Sequence, residues 1–276
     1  MTLPYRGPGP GRPDLPLPPA RMPRWRGTRP LKRWRYVGVY GPELSICVGD
    51  VHVGPSRQAF WAVWDRANGE LRERTVLRRG GVELGPGRAV VRDRGVEIDI
   101  ELDETEGVET VSPHGRHYVW TRKQGGVTAR GEVTLDGEAR TVDARAVIDD
   151  SAGYHARRTT WSWSAGVGET VDGRDVAWNL VDGVHDASHA SERSVWVDGV
   201  AHEVGPVRFA DALDEVSFAE GGQLRCEIES VRARHDNLLI VRSDYRQPFG
   251  TFSGVLPDGL ELASGYGVME WHDARW

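Results

Sequence analysis

Long apolar runs and cysteines are scarce in this chain of 276 residues. It contains no run of about 18 apolar residues, the length of a transmembrane helix, so we expect no integral membrane association. The first thirty residues have no apolar central segment, which argues against a secretory signal. We therefore expect a cytoplasmic location. The two cysteines, Cys47 and Cys226, are far apart in the sequence and are expected to be buried free thiols.

The sequence also lacks the motifs of several enzyme classes. It has no βαβ rhythm, no GxGxxG and no GxxxxGK[ST], which argues against nucleotide-dependent folds. A Gly-x-Ser-x-Gly motif is missing, which argues against serine hydrolases. His185 and His189 lie in a polar loop with no carboxylate at metal-binding spacing, so we predict no metal site.

Basic residues are concentrated near the N-terminus, although the net charge is −6. The segment from Arg21 to Arg35 combines arginines with Trp25 and Trp34, a composition that can bind nucleic acid or anionic lipid. Because the rest of the chain is acidic and no nucleic-acid motif follows, we expect no nucleic-acid partner. The favoured interpretation is that the segment packs across the protein, with guanidinium groups stacked on indoles. Residues 1–30, rich in Pro and Arg, are predicted to form an extended, flexible arm.

Beyond the arm, the hydrophobic pattern has a period of two. Val96, Ile98 and Ile100 alternate with acidic residues, which is typical of a half-buried strand. Such stretches are separated by Asp-Gly pairs, the strongest short signal for a hairpin: Asp136-Gly137, Asp172-Gly173, Asp198-Gly199 and Asp258-Gly259. The pattern predicts an all-β protein of about eighteen strands. We expect two consecutive antiparallel β-barrel units, at residues 31–148 and 149–276.

The segment from Asp149 to Leu180 is unusually rich in tryptophan. It is predicted to open with an Asp-Asp-Ser turn and to continue into a strand on which Trp161 and Trp163 share a face. After a hairpin, Trp178 and Asn179 return on the partner strand. These side chains would form an apolar wall with N–H groups, suited to a greasy ligand, or they would fill the core of a barrel. Tyr154 is predicted to help Asn179 orient a polar end of the ligand.

The C-terminal segment, GYGVMEWHDARW, places titratable groups two residues apart. In a strand, Tyr266, Glu270 and His272 lie on one face, and a Glu–His pair can act as general acid and base. If that face points inward, desolvation raises the pKa of the carboxyl group and favours proton donation. If it points outward, these residues are ordinary surface groups.

Three segments resemble a bacterial family, domain of unknown function 2804. They are KRWRYVGVYGPELSICVGDVHVG from Lys32, DDSAGYHARRTTWSWSAGVGETVDGRDVAWNLVDG from Asp149, and GYGVMEWHDARW from Gly265. The last two are also distantly similar to the lipocalin-like superfamily of carotenoid hydratases, tocopherol-cyclase-like proteins and lipocalin-type Diels–Alderases. This likeness implies two lipocalin-like barrels, a hydrophobic substrate pocket and acid–base chemistry without a cofactor. It also implies a catalytic role for His155, within Gly153-Tyr154-His155-Ala156, where the Trp of the hydratase motif Asp-His-x-Trp-Gly does not follow.

The sequence therefore supports three hypotheses. The first is an enzyme that binds a lipid- or terpenoid-like molecule between or inside two barrels and uses Glu270 or His272 for hydration, isomerisation or cyclisation. The second is a carrier or sensor that binds such a molecule without chemistry. The third is a scaffold that docks through its arginine-rich arm. A hydrophobic small molecule is the expected partner, and the oligomeric state is left open.

Overall fold

The structure, a computed structural model, describes residues 3–9, 11–77, 80–238 and 241–275. Thirteen strands precede residue 154: β1 (Tyr5–Arg6), β2 (Trp25–Arg26), β3 (Arg29–Pro30), β4 (Lys32–Tyr40), β5 (Leu44–Val53), β6 (Ser56–Asp65), β7 (Glu70–Leu77), β8 (Val82–Gly85), β9 (Arg88–Asp93), β10 (Val96–Leu102), β11 (Val108–His114), β12 (His117–Leu135) and β13 (Glu138–Gly153). Nine follow: β14 (Arg158–Thr170), β15 (Asp175–Asp182), β16 (Ser194–Val197), β17 (Val200–Glu203), β18 (Val207–Phe209), β19 (Glu215–Phe218), β20 (Gln223–Leu238), β21 (Val241–Leu256) and β22 (Leu260–Arg275). Within the described ranges, the helical content is one 3₁₀ turn, Pro257–Gly259, too short to cross a membrane.

The strands form two curled antiparallel sheets, which confirms the prediction of two consecutive β-barrel units. In the N-terminal unit the order is β7-β6-β5-β4-β13-β12-β10-β9-β8, with β11 on β12 and β1 on β11. In the C-terminal unit it is β17-β16-β15-β14-β22-β21-β20-β19-β18. Both sheets follow one path, in which the first long strand pairs with the last strand of its unit. β2 and β3 pair separately as a two-stranded ribbon.

The Asp-Gly pairs lie at turns between antiparallel strands, as predicted. Asp136-Gly137 and Asp198-Gly199 form two-residue loops with positive φ at both residues, as a type I′ turn requires, and Asp258-Gly259 has the same signs of φ within the three-residue turn Pro257–Gly259. At Asp172-Gly173 the positive φ is confined to the glycine. These turns set the register of the long strands, and therefore which side chains share a face.

The two units have separate hydrophobic cores and a third core between them. Alternate residues of β4–β6, such as Val37, Ile46 and Trp61, fill the N-terminal core. The C-terminal core contains Trp178 and Met269. The third core joins side chains from the opposite faces of the two sheets: Tyr36, Tyr40, Cys47, Ala62, Trp64, Val108 and Val147 from the N-terminal unit, and Trp163, Ala165, Val167, Ala177, Val181, Val184, Trp196, Phe249 and Val268 from the C-terminal unit.

The N-terminal arm lies against the N-terminal unit. Leu17 and Met22 are buried in a cluster with residues of β11, β12 and β13, and the Arg26 guanidinium lies 4.7 Å from the Tyr118 ring centroid. Arg6 crosses to the C-terminal unit, where it donates to the carbonyl oxygen of Ser191 at 2.5 Å. The arm therefore packs on the protein through apolar side chains. Arg26 stacks on a tyrosine ring, whereas stacking of guanidinium groups on indoles was expected.

The segment that begins at Asp149 starts in a strand. Asp149–Gly153 are the last residues of β13 and pair with β4 and β12, so the predicted Asp-Asp-Ser turn is wrong. The physical reason is pairing on both edges, which overrides the local turn preference of Asp and Ser. The proposed boundary between residues 148 and 149 falls inside this strand, and the change of sheet comes after Gly153.

Candidate functional site

A cavity of about 720 Å³ lies between the two units, on the sheet faces that point away from their separate cores. Its apolar wall is aromatic and is formed by Trp34, Tyr36, Phe60, Trp161 and Trp163, with Val51, Val53, Val181 and Val184. Its polar lining comprises Arg35, Ser56, Arg57, Gln58, Lys123, Asp149, His155, Thr159, His185, Glu192, Arg232, Arg234, Asp236, Ser243, Tyr245, Glu270 and His272. A cavity of this size and lining suits a drug-sized apolar molecule with a few polar groups.

Trp161 and Trp163 project side by side from β14, as their spacing predicted. The Trp163 ring meets Tyr36 edge-on at a centroid distance of 5.3 Å. Its Nε1 donates to Oδ1 of Asn179 at 2.8 Å. The Trp161 ring packs against His272 at 4.4 Å. Trp163 therefore has partners from both units, whereas Trp161 packs against the C-terminal unit.

Glu270 on β22 is the central titratable group of the cavity. One carboxylate oxygen accepts from Trp161 Nε1 at 2.9 Å, and the other accepts from Gln247 Nε2 at 3.1 Å. Burial raises the pKa of Glu270 to about 7, and hydrogen bonding from Trp161 and Tyr245 and the charge of Arg232 oppose that shift only in part. A carboxyl group with this pKa is present in both protonation states near neutral pH, as a general acid or base requires.

His272 and His155 both line the cavity and are neutral at pH 7. Burial lowers the pKa of His272 to about 4, and its Nε2 lies 2.8 Å from the Ser243 hydroxyl. Burial also lowers the pKa of His155 far below its usual value, with His185 and Lys32 adding to the shift. A neutral imidazole can orient a substrate or relay a proton, but it is a poor proton donor beside Glu270.

Four of the predicted ligand-binding residues lie outside the cavity lining. Tyr154 packs against the arm, and its hydroxyl donates to the Pro23 carbonyl at 2.8 Å. Trp178 lies across Gly166 on the opposite face of the sheet, in the C-terminal core. Asn179 sits behind Trp163 and positions it. Tyr266 packs in the interface between the units, with the Arg66 guanidinium 5.0 Å from its ring centroid.

A second polar group in the cavity was missed by the sequence analysis. Lys123 Nζ lies 2.5 Å from Asp149 Oδ1 and 3.2 Å from Glu192 Oε1, and His185 lines the cavity with them. We call Lys123, Asp149, His185 and Glu192 the lysine cluster. One signal was available, since Lys123 is one of only two lysines among 35 basic residues. In the described part of the chain, no group of His, Cys, Asp and Glu is arranged to hold a metal ion.

Comparisons with known proteins agree with this architecture. The model of the family described as Domain of unknown function (DUF2804) matches residues 82–276, which confirms the predicted family. Among solved structures, an AttH-like protein from Nitrosomonas europaea is similar, with a TM-score of 0.56 and 12% identity over 93% of this chain and 98% of that one. Kievitone hydratase from Nectria haematococca has a TM-score of 0.54 and 9% identity over 89% and 88% of the two chains. At these identities the likeness shows the fold alone. No curated protein matches the sequence.

Proposed function

The chain belongs to the family of domain of unknown function 2804, and from its pocket we propose that it binds a lipid- or terpenoid-like molecule between its two units and exchanges a proton with it through Glu270. No cofactor takes part in this reaction. The observation that carries the proposal is the Glu270 carboxyl group, buried in an aromatic cavity with a pKa of about 7.

Hydration of an alkene illustrates the chemistry that this site supports. The protonated Glu270 transfers its proton to one alkene carbon, and the C=C π electrons form the new C–H bond, which leaves a cation on the other carbon. The oxygen of a water molecule bonds to that carbon, and a proton returns from it to the Glu270 carboxylate. The net change is addition of one water, and the carboxyl group is regenerated. Loss of a different proton from the cation to the Glu270 carboxylate gives isomerisation. Attack by a second alkene of the same molecule forms a ring and a new cation, which loses a proton to the Glu270 carboxylate and completes cyclisation.

The aromatic wall is suited to the cation in such a reaction. The faces of Trp161 and Trp163 carry negative electrostatic potential, which attracts a neighbouring positive charge. The neutral rings of His272 and His155 add no competing positive charge at pH 7. The fold is also compatible with this chemistry, because kievitone hydratase, a hydratase by name, shares it.

The first experiment is native mass spectrometry of the purified protein, with organic extraction and identification of what co-purifies. A bound isoprenoid, fatty alcohol or polyketide supports the pocket and gives the substrate class. A clean apo mass, with no uptake from a lipid extract and no quenching of tryptophan fluorescence, contradicts the proposal.

Once a ligand is known, Glu270→Gln separates an enzyme from a carrier. The variant keeps the shape of the pocket, so binding is expected to be retained, and conversion of the ligand should fall by about 10²-fold or more because the proton donor is lost. Glu227→Gln, an exposed change on β20, is the matched control. Equal turnover by both proteins refutes the catalytic role of Glu270, and retained binding with no turnover by the wild-type protein identifies a carrier.

A further inference from the structure

The lysine cluster contains two carboxyl groups and one ammonium group, and its side chains are buried in the wall of the cavity. Lys123 and Glu192 are each 2% exposed, and Asp149 and His185 are also buried. Two carboxyl groups share one ammonium group, and both contacts of Lys123 Nζ reach carboxylate oxygens. Burying charged groups is costly unless each has close partners. One ammonium group is a limited partner for two carboxyl groups, which suggests that a ligand in the cavity supplies further contacts.

Part of the lysine cluster has no hydrogen-bond partner within the described ranges. Glu192 Oε2 and both ring nitrogens of His185 are buried without a partner. Burial lowers the pKa of His185 to about 3, so the neutral ring has one N–H donor and one acceptor nitrogen. An unpaired buried polar atom costs about 1–3 kcal/mol. Since both residues line the cavity, a bound molecule can supply the missing partners.

Both sheets contribute to this cluster. Lys123 and Asp149 come from β12 and β13, and Asp149 also accepts from Trp34 Nε1 at 3.2 Å. His185 and Glu192 come from the connection between β15 and β16, where the Glu192 carbonyl accepts from Asn179 Nδ2 at 3.0 Å. These contacts hold the Asp149 carboxyl group and the backbone at Glu192 before any ligand arrives, which favours a preorganised binding site.

We propose that the lysine cluster binds an uncharged hydroxyl group of the ligand and rejects an anionic head group. The hydroxyl donates its proton to Glu192 Oε2 and accepts from the N–H of His185, which satisfies one unpartnered atom on each residue. A carboxylate or phosphate would face two carboxyl groups and an ammonium group that is already shared by them. This inference rests on the proposed function and adds the substrate class, an apolar body that carries an alcohol or phenol.

The test compares three ligands that share a ten-carbon chain: decan-1-ol, decyl methyl ether and decanoate. Binding to the wild-type protein is measured by tryptophan fluorescence at pH 8, where decanoate is ionised. We expect decan-1-ol to bind about tenfold more tightly than the ether, which cannot donate a hydrogen bond. Decanoate is expected to bind more weakly than the ether. Equal binding of alcohol and ether, or tightest binding of decanoate, overturns the assignment.

A variant then assigns the selectivity to this cluster. Glu192→Gln removes one negative charge, so the ratio of alcohol to decanoate affinity should fall by about tenfold, while binding of the ether is unchanged. Glu227→Gln should leave all three affinities unchanged. An unaltered ratio in Glu192→Gln overturns the assignment, and if that variant does not fold, the wild-type series alone decides. If none of the three ligands binds, the proposed function fails as well, whereas binding without selectivity refutes only the hydroxyl subsite.

Discussion

At the scale of single residues, the environment of Glu270 differs from that of three other acids in the protein. The carboxyl groups of Asp65, Asp99 and Glu104 have pKa values below their usual range, because cations and hydrogen bonds stabilise the ionised form. At Glu270, desolvation outweighs the same kind of contacts and raises the pKa to about 7. A buried acid of this kind lowers the stability of the fold when it is ionised. Carboxyl groups with such perturbed pKa values are concentrated at functional sites.

The raised pKa gives a stability prediction that needs no substrate. Between the unfolded pKa of 4.5 and the folded pKa of about 7, the folded protein binds more protons at this group, so its stability falls as pH rises through that window. Glu270→Gln removes this loss. Relative to wild type, the variant should gain about 3 kcal/mol in free energy of unfolding between pH 5 and pH 8, at about 1.4 kcal/mol per pH unit.

Urea unfolding of both proteins at the two pH values measures this gain. Glu227→Gln, whose side chain is exposed, should show a nearly constant difference from wild type. A constant difference for Glu270→Gln as well would mean that the carboxyl group titrates with an ordinary pKa, contrary to the role proposed for it.

The alternation of side chains predicted residues of the site where they lie on one strand, and the family resemblance added His155. Glu270 and His272 are two apart on β22, and Trp161 and Trp163 are two apart on β14, so the alternation of side chains placed each pair on one face. The lysine cluster escaped prediction because its members come from β12, β13 and one long connection, brought together by two sheets. No short-range sequence pattern predicts that these four residues lie together, although the rarity of lysine in the chain singled out Lys123.

At the scale of elements, the positions of the Asp-Gly hairpins were predictable, and the face that each strand turns to the cavity was less so. Trp178 was placed beside Trp163 because the hairpin returns it to the partner strand. In the register observed, Trp178 pairs with Gly166 and Asn179 pairs with Ala165. A Cβ at Gly166 would come within 2.2 Å of the Trp178 ring, so that glycine lets the indole lie flat in the C-terminal core. The pairing of two strands in a hairpin depends on local sequence. What each face of the sheet packs against depends on the other sheet.

The arm gives the prediction at this scale. Leu17 is 1% exposed within the cluster beneath the arm, whereas Leu15 is only partly buried against it. We expect Leu17→Ala to lower the free energy of unfolding by about 2–4 kcal/mol through loss of buried surface and formation of a cavity. Leu15→Ala, the matched control, should cost clearly less. Chemical denaturation measures both, and equal small losses would show that the arm contributes little to the fold and leave a docking role open.

At the scale of the whole molecule, the two units have the same strand path, and the cavity uses the faces that neither unit buries in its own core. Strand number and patterning predicted the two units, but their mutual packing could not be derived from either unit alone. Polar contacts cross the junction as well: Trp64 Nε1 donates to Glu229 at 2.7 Å, and Arg66 pairs with the same carboxylate. The site therefore depends on how the units are joined.

Arg232 tests that dependence. It extends from β20 to the N-terminal unit, where it pairs with Glu73 at 2.5 Å and lies 4.2 Å from the Phe60 ring centroid. Arg232→Met should lower the free energy of unfolding by about 1–3 kcal/mol, because the contacts of a buried guanidinium are lost while Glu73, 36% exposed, stays solvated. Arg225→Met, on the same strand with a largely exposed side chain, should change it by less than about 0.5 kcal/mol. Thermal and urea unfolding measure both, and similar losses in the two variants would show that Arg232 does not link the units.

Because β4 pairs with β13 and β14 pairs with β22, each unit closes only when its final strand is in place. During synthesis the ribosome therefore releases a complete N-terminal unit first, with its half of the cavity facing solvent. Of the residues that line the cavity, Glu270 and His272 are the last to be translated. A nascent or prematurely terminated chain thus exposes the aromatic wall without the acid, and a chaperone that shields apolar surface would be needed most in the interval before β22 emerges.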